Sequence, residues 1–134
     1  MGPFELRALG HVESPLAARG QAPRQGDEGA PESVLVFRDS VADALTDVRP
    51  GADMLLFTWL HQGDRDTLRV HPRGDAARAE EGVFSTRSPD RPNPIGLHRI
   101  QVVEVDGLRV RVRDLEAVDG TPIVDLKPVL GSER

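Results

Sequence analysis

Hydrophobic positions along this chain fall into short runs divided by turn formers, not into long amphipathic stretches. Phe4, Leu6 and Ala8 alternate with polar neighbours, which predicts a first strand over residues 4–12. Residues 34–37 form a brief apolar run and predict a buried strand. A helix is predicted next: Asp39 or Ser40 can cap it, Val41, Ala44, Leu45 and Val48 share one face, and Pro50-Gly51 stops it. Residues 54–60 are continuously apolar and bounded by turn formers, the signature of a central strand, and Leu68 and Val70 alternate with Arg69 and His71 in another. The clearest signal is a hairpin, with apolar alternation over 100–105 and 108–112 around Asp106-Gly107, since a tight primed turn requires positive φ. Its second arm directs Leu108, Val110 and Val112 inward and Arg109, Arg111 and Arg113 outward. Short strands, one or two short helices and many turns predict a mainly β fold, a small single β-barrel.

Composition narrows the class. At 134 residues the chain fits one domain, 1–134. Its 13 glycines and 11 prolines make it loop-rich without reaching the share that marks disorder. Cysteine is absent, which excludes disulfides, thiolate zinc sites, iron–sulfur clusters and cysteine nucleophiles. His11, His71 and His98 show no metal-ligand spacing, so no metal is expected. The start has neither a basic nor an apolar targeting region, and the longest apolar run is far shorter than the ~20 residues of a membrane span, so a cytoplasmic location is expected. The net charge is −5 and Lys127 is the only lysine, so any grip on nucleic acid must come from a local arginine-rich surface.

Three further segments have compositions that packing does not demand. Residues 13–32 form a long loop holding Ala22-Pro23-Arg24-Gln25-Gly26, and loops of that length are usually functional or disordered. Residues 84–97 hold three prolines in six positions, which fix φ and restrict their neighbours, giving either a rigid ligand cradle or a brace for a barrel end. Residues 119–128 are read as a third loop, opened by a turn at Asp119-Gly120-Thr121-Pro122.

Together Phe84-Ser85-Thr86-Arg87-Ser88, Arg91-Pro92-Asn93-Pro94-Ile95-Gly96-Leu97 and Asp119-Gly120-Thr121-Pro122-Ile123-Val124-Asp125-Leu126-Lys127-Pro128 resemble the TsaA-like family, whose best-known members are the TrmO-type tRNA methyltransferases. Pro23-Arg24-Gln25 and Trp59-Leu60-His61-Gln62 look like that family in order and spacing, so the resemblance covers residues 9–129. It implies a non-Rossmann β-barrel that binds S-adenosylmethionine, acts as a homodimer and methylates N6 of the threonylcarbamoyl-adenosine beside the tRNA anticodon. The chain has no Gly-x-Gly-x-x-Gly run behind a strand, in keeping with that expectation. By similarity, cofactor contacts are expected at Pro23, Arg24, Gln25, His61, Gln62, Arg87, Leu97, Asp119, Gly120, Thr121 and Pro122.

These residue types suit the ligand. Arg24 or Arg87 can fork onto its carboxylate, backbone groups of the 119–122 turn can read the adenine edge, and Leu97 can lie against its face. N6 of a carbamoylated adenosine is a poor nucleophile, so Asp119, Asp125 and His61 are candidates to assist loss of its proton. Each has a plain alternative: Asp125 can pair with Lys127 as scaffold, His61 and Gln62 can close a barrel end, and Arg87 can pair with Asp90. Two departures from the family stand out: the sequence matches only the short, one-domain form, and Val129 stands where a tyrosine often follows Lys-Pro. The alternatives to a tRNA acceptor are a small-molecule acceptor and a non-catalytic S-adenosylmethionine-binding module.

Overall fold

The computed structural model describes residues 2–17 and 30–133. Eight strands are present among them: β1 (Gly10–Glu13), β2 (Ser33–Phe37), β3 (Asp53–Trp59), β4 (Arg69–Val70), β5 (Glu81–Gly82), β6 (Ile95–Asp106), β7 (Arg109–Arg113) and β8 (Pro122–Pro128). Six of them pair antiparallel in the order β1-β2-β7-β6-β3-β8, and the ladder from β8 back to β1 closes the barrel. Pairing every strand on both sides removes exposed sheet edges. The ring encloses a core of alternate residues from each wall, including Val12, Leu35, Leu56, Ile100, Val110 and Ile123.

β3 is the central wall. Met54, Leu56 and Thr58 point inward and are buried, while Leu55, Phe57 and Trp59 cover the outer face. It lies between β6 and β8, with Thr58 opposite Gly96 on one side and Ile123 on the other. The β3–β8 register shifts between Phe57 and Thr58, leaving Val124 as the extra residue of a bulge. A second shift in β6–β7 falls between Val102 and Glu104.

Several expectations require correction. The first strand begins at Gly10, not residue 4: Phe4 and Leu6 are 80% and 56% exposed, because no strand lies beside them to bury an alternating pattern. The helix is a 3-10 helix, Asp39–Leu45, preceded by Arg38 with no side-chain cap. Neither Asp39 nor Ser40 caps it, and Ala44 is exposed while Leu45 is buried. Four such 3-10 helices occur among the described residues, more than the one or two expected. The strand at Leu68 and Val70 shrinks to the two residues of β4, paired with β5 outside the barrel, and Leu68 is 63% exposed.

Two of the predicted loops contain barrel strands. Ile95, Gly96 and Leu97 begin β6, and residues 122–128 are β8. The hairpin is present, but Asp106 pairs with Arg109, so the turn is Gly107-Leu108, one residue later than predicted. Gly107 has φ 61° and Leu108 has negative φ, the sign pattern of a type II′ turn with glycine first. Val110 and Val112 are fully buried and the three arginines exposed, as predicted; Leu108 is only partly buried.

Candidate functional site

Strand directions bring the sequence-selected segments to one end of the barrel. β1 ends at Glu13 beside Val34 of β2, so residues 14–32 leave and return there. β3 ends at Trp59 opposite Ile95, where the 60–94 connection begins and finishes. β8 starts with Pro122 opposite His11 and Ile123 opposite Thr58. The chain between β7 and β8 then lies over this end, with Leu115, Ala117 and Val118 buried beneath it.

This crossing segment is fastened at both sides. Toward β1, Asp119 N donates to Leu16 O at 2.6 Å, Gly120 N donates to Val12 O at 2.7 Å, and Ser14 N donates to Asp119 Oδ1 at 3.0 Å. Toward β6, the Glu116 carboxylate meets His98 Nδ1 at 2.5 Å, and His98 Nε2 lies 2.7 Å from Thr58 Oγ1. His98 is 4% exposed and Thr58 is fully buried. With a carboxylate as acceptor, Nδ1 carries a proton.

The turn itself is shaped by its own residues. Gly120 has φ 82°, which only glycine adopts without strain, and Thr121 Oγ1 donates to Val118 O at 2.7 Å. The Thr121 hydroxyl and the N–H groups of Asp119, Gly120 and Thr121 are therefore committed within the fold, so the turn presents the carbonyls of Asp119 and Gly120 and the exposed Asp119 side chain.

Two loops dock against each other beside this end. Leu60 N donates to Pro94 O at 2.7 Å, Asp64 N to Asp90 Oδ1 at 2.9 Å, and Arg65 Nε to Pro92 O at 2.7 Å. Arg65 also stacks over Trp59, 5.1 Å from the ring centroid. Gly63 is essential to this docking, since a Cβ there would stand 2.2 Å from Pro89 O. His61 and Gln62 are carried, exposed, on the first loop.

On the second loop the two arginines differ. Arg91 donates to Val83 O at 2.7 Å and to Thr86 O and Ser88 O at 3.1 Å each, so it braces the loop. Arg87 is exposed and has no hydrogen bond or ion pair with any described residue; the alternative pairing with Asp90 is not formed. Leu97, 39% exposed, sits on the outer face opposite Phe57, which in turn is opposite Asp125. Asp125 accepts from Leu126 N at 2.9 Å and lies 4.0 Å from Lys127, the scaffold alternative. Pro23, Arg24 and Gln25 lie outside the described residues.

A cavity of about 500 Å³ opens beside the turn, lined by Glu13, Ser14, Pro15, Glu32, Ser33, Val34, Arg111 and Asp119. Of the candidate residues it includes Asp119 alone, whereas His61, Gln62, Arg87 and Leu97 lie on or beside the β3–β6 wall. Its rim is electrically paired: Arg109 Nη2 lies 2.7 Å from Glu13, and Arg111 bridges Glu32 and Glu104 at 3.3 and 3.1 Å. The hydrogen bond from Arg109 holds the Glu13 carboxyl below its ordinary value against partial desolvation, and Glu13 holds Arg109 above its own. Among the described residues no three His, Cys, Asp or Glu side chains could hold a metal ion, and no helix is long and apolar enough to cross a membrane.

Sequence reading missed His98, Glu116 and Thr58. The available signal was polar residues at inward register positions, Thr58 within an apolar run and His98 between Gly96 and Ile100.

The fold and its end-on loops define a small, non-Rossmann, barrel-type domain. The sequence pattern of the tRNA-methyltransferase O N-terminal domain family matches residues 11–132, and the chain belongs to that family. It is 41% identical over 122 residues to an S-adenosyl-L-methionine-binding protein of Archaeoglobus fulgidus, covering 91% of this chain and 86% of the relative. It is 34% identical over 141 residues to the tRNA (adenine(37)-N6)-methyltransferase of Escherichia coli, covering 97% of this chain and 59% of that enzyme. The crystal structure of TrmO from Pseudomonas aeruginosa superposes with a TM-score of 0.77 at 23% identity, covering 98% of this chain and 58% of that one. The chain thus spans little more than half the length of the solved structures it matches.

Proposed function

We propose that residues 1–134 act as one S-adenosylmethionine-binding domain that transfers the cofactor's methyl group to N6 of threonylcarbamoyl-adenosine beside the anticodon of tRNA. The observation that carries this reading is the gathering of the described residues 14–17, 60–65, 86–94 and 119–122 at one barrel end, in a chain of this family. Arg87, exposed and unpaired among the described residues, takes the cofactor carboxylate. The backbone carbonyls of Asp119 and Gly120, whose N–H groups donate to Leu16 O and Val12 O, accept from the adenine amino edge, and Leu97 lies against a face of the ligand. Pro23, Arg24 and Gln25 complete the contacts from the segment between β1 and β2, with His61, Gln62 and Pro122. Methyl transfer asks for in-line alignment of the acceptor nitrogen, so most of the rate comes from positioning. Asp119 and His61, both exposed at this end, are the better placed proton acceptors; Asp125 is held by Leu126 N and Lys127.

The chain works as a homodimer in the cytoplasm. Leu97 is on the outer wall and Asp119 in the cavity over the barrel end, so one cofactor reaches both groups when two copies face each other. A two-fold arrangement supplies two equivalent sites.

A second reading is favoured by charge. The outward arginine stripe is engaged by acids at Arg109 and Arg111, and the two docked loops carry Asp64, Asp66 and Asp90 beside Arg65, Arg87 and Arg91. This mixed surface suits a small-molecule acceptor, or a module that binds the cofactor without catalysis, better than it suits tRNA phosphates.

The test is mass spectrometry of nucleosides after adding the protein and S-adenosylmethionine to tRNA from a strain lacking this methylation. The tRNA reading expects one added methyl on threonylcarbamoyl-adenosine. No gain, with cofactor binding measured in the same sample, transfers support to the second reading.

A further inference from the structure

We infer that His98 is a positioning residue: through Glu116 it sets the Asp119–Pro122 turn against the barrel wall in the form that receives the cofactor. The inference rests on the cofactor reading above.

The geometry is a chain of three side chains from three parts of the fold. Thr58 on β3 and His98 on β6 are inward-facing and buried, and Glu116 comes from the segment that crosses the barrel end. That segment lacks strand pairing between Asp114 and Pro122, so side chains must hold it on the β6 side. Glu116 stands three residues before Asp119, and Leu115, Ala117 and Val118 fill the space below. His98 with both ring nitrogens engaged has one orientation, and it leaves Glu116 one position.

Space is reserved for this arrangement. Gly96 is on the same inward face, and a Cβ there would stand 2.4 Å from Thr58 Oγ1 and 2.7 Å from His98 Nε2. A buried polar chain of this kind costs desolvation that an apolar core would avoid, and a fully satisfied one gives a single arrangement in return. Thr58 has no exposed surface to offer a ligand, so the chain acts through the turn.

The test uses the full chain and S-adenosylmethionine. Calorimetry should show Glu116→Ala binding the cofactor at least about tenfold more weakly than the parent, the usual scale of one hydrogen bond to a charged group. Glu116→Gln, which keeps an acceptor for Nδ1–H, should restore most of that affinity. In parallel, the His98 Nδ1–H proton resonance, assigned by its loss in His98→Asn, should move when the cofactor saturates the protein. Unchanged affinity in a folded Glu116→Ala variant, or a His98 resonance indifferent to the cofactor, overturns the inference while leaving the binding reading intact. Failure of the parent protein to bind S-adenosylmethionine overturns both.

Discussion

Gly96 and Thr58 face each other across the β3–β6 ladder so closely that a methyl group at 96 would stand 2.4 Å from the Thr58 hydroxyl. Gly96→Ala therefore overpacks the wall just inside the candidate site. We expect a loss of about 1–3 kcal/mol in stability, measured by urea unfolding. A fully stable alanine variant would mean that Thr58 and His98 can swing aside.

Arg87 and Arg91 are four residues apart in one loop and should respond differently to truncation. Arg87→Ala should leave stability within about 0.5 kcal/mol, as for other surface sites. Its S-adenosylmethionine affinity should fall roughly tenfold to a hundredfold, the scale of a charge-assisted contact. Arg91→Ala removes three bonds to loop carbonyls. It should cost about 1–2 kcal/mol and speed amide exchange over residues 83–88. Calorimetry together with hydrogen exchange separates the two cases.

The Glu13–Arg109 pair makes a prediction about pH. Its hydrogen bond lowers the carboxyl below the ordinary 4.5, so its contribution to stability is present above that value and lost as pH falls through the lowered one. Arg109→Ala should return the Glu13 carboxyl upward toward its ordinary range in an NMR titration. Asp119→Asn should lower it further, because the Asp119 charge opposes ionisation at Glu13. A Glu13 titration unaffected by either change would remove the pair from the account.

How much of this was legible in the sequence depends on where each partner lies. The hairpin at 100–112 could be read because its alternation and its glycine are local, and the turn was misplaced only by one residue. β8 was hidden behind Asp119-Gly120 and two prolines, which look like loop. Pro122 is nevertheless acceptable as the first residue of a strand. The run at Phe4 and Leu6 alternates convincingly yet stays exposed, since alternation predicts burial only where a neighbouring strand exists. The candidate residues were read as motif positions, and for those among the described residues the topology explains why their segments meet at one end. The Thr58–His98–Glu116 chain joins positions 40 and 18 residues apart, a distance over which no periodicity carries information.

Dimerisation can be checked directly. Sedimentation at micromolar concentration should give about twice the chain mass, as for a two-fold assembly. Leu97→Glu, on the exposed outer face opposite Phe57, should shift the population toward monomer and weaken cofactor binding together. A monomeric parent with full affinity for S-adenosylmethionine would place the whole pocket in one chain.

The central claim is that S-adenosylmethionine binds at the barrel end formed by the start of β6, the start of β8 and the loops beside them. Amide chemical-shift mapping of the isotopically labelled protein tests it most directly. Titration with the cofactor should move the resonances of Arg87, Leu97, Asp119, Gly120 and Thr121, and leave those of Leu45, Gly107 and Val129 at the far end nearly still. Saturable shifts confined to that far end, or none at all in folded protein, would contradict it.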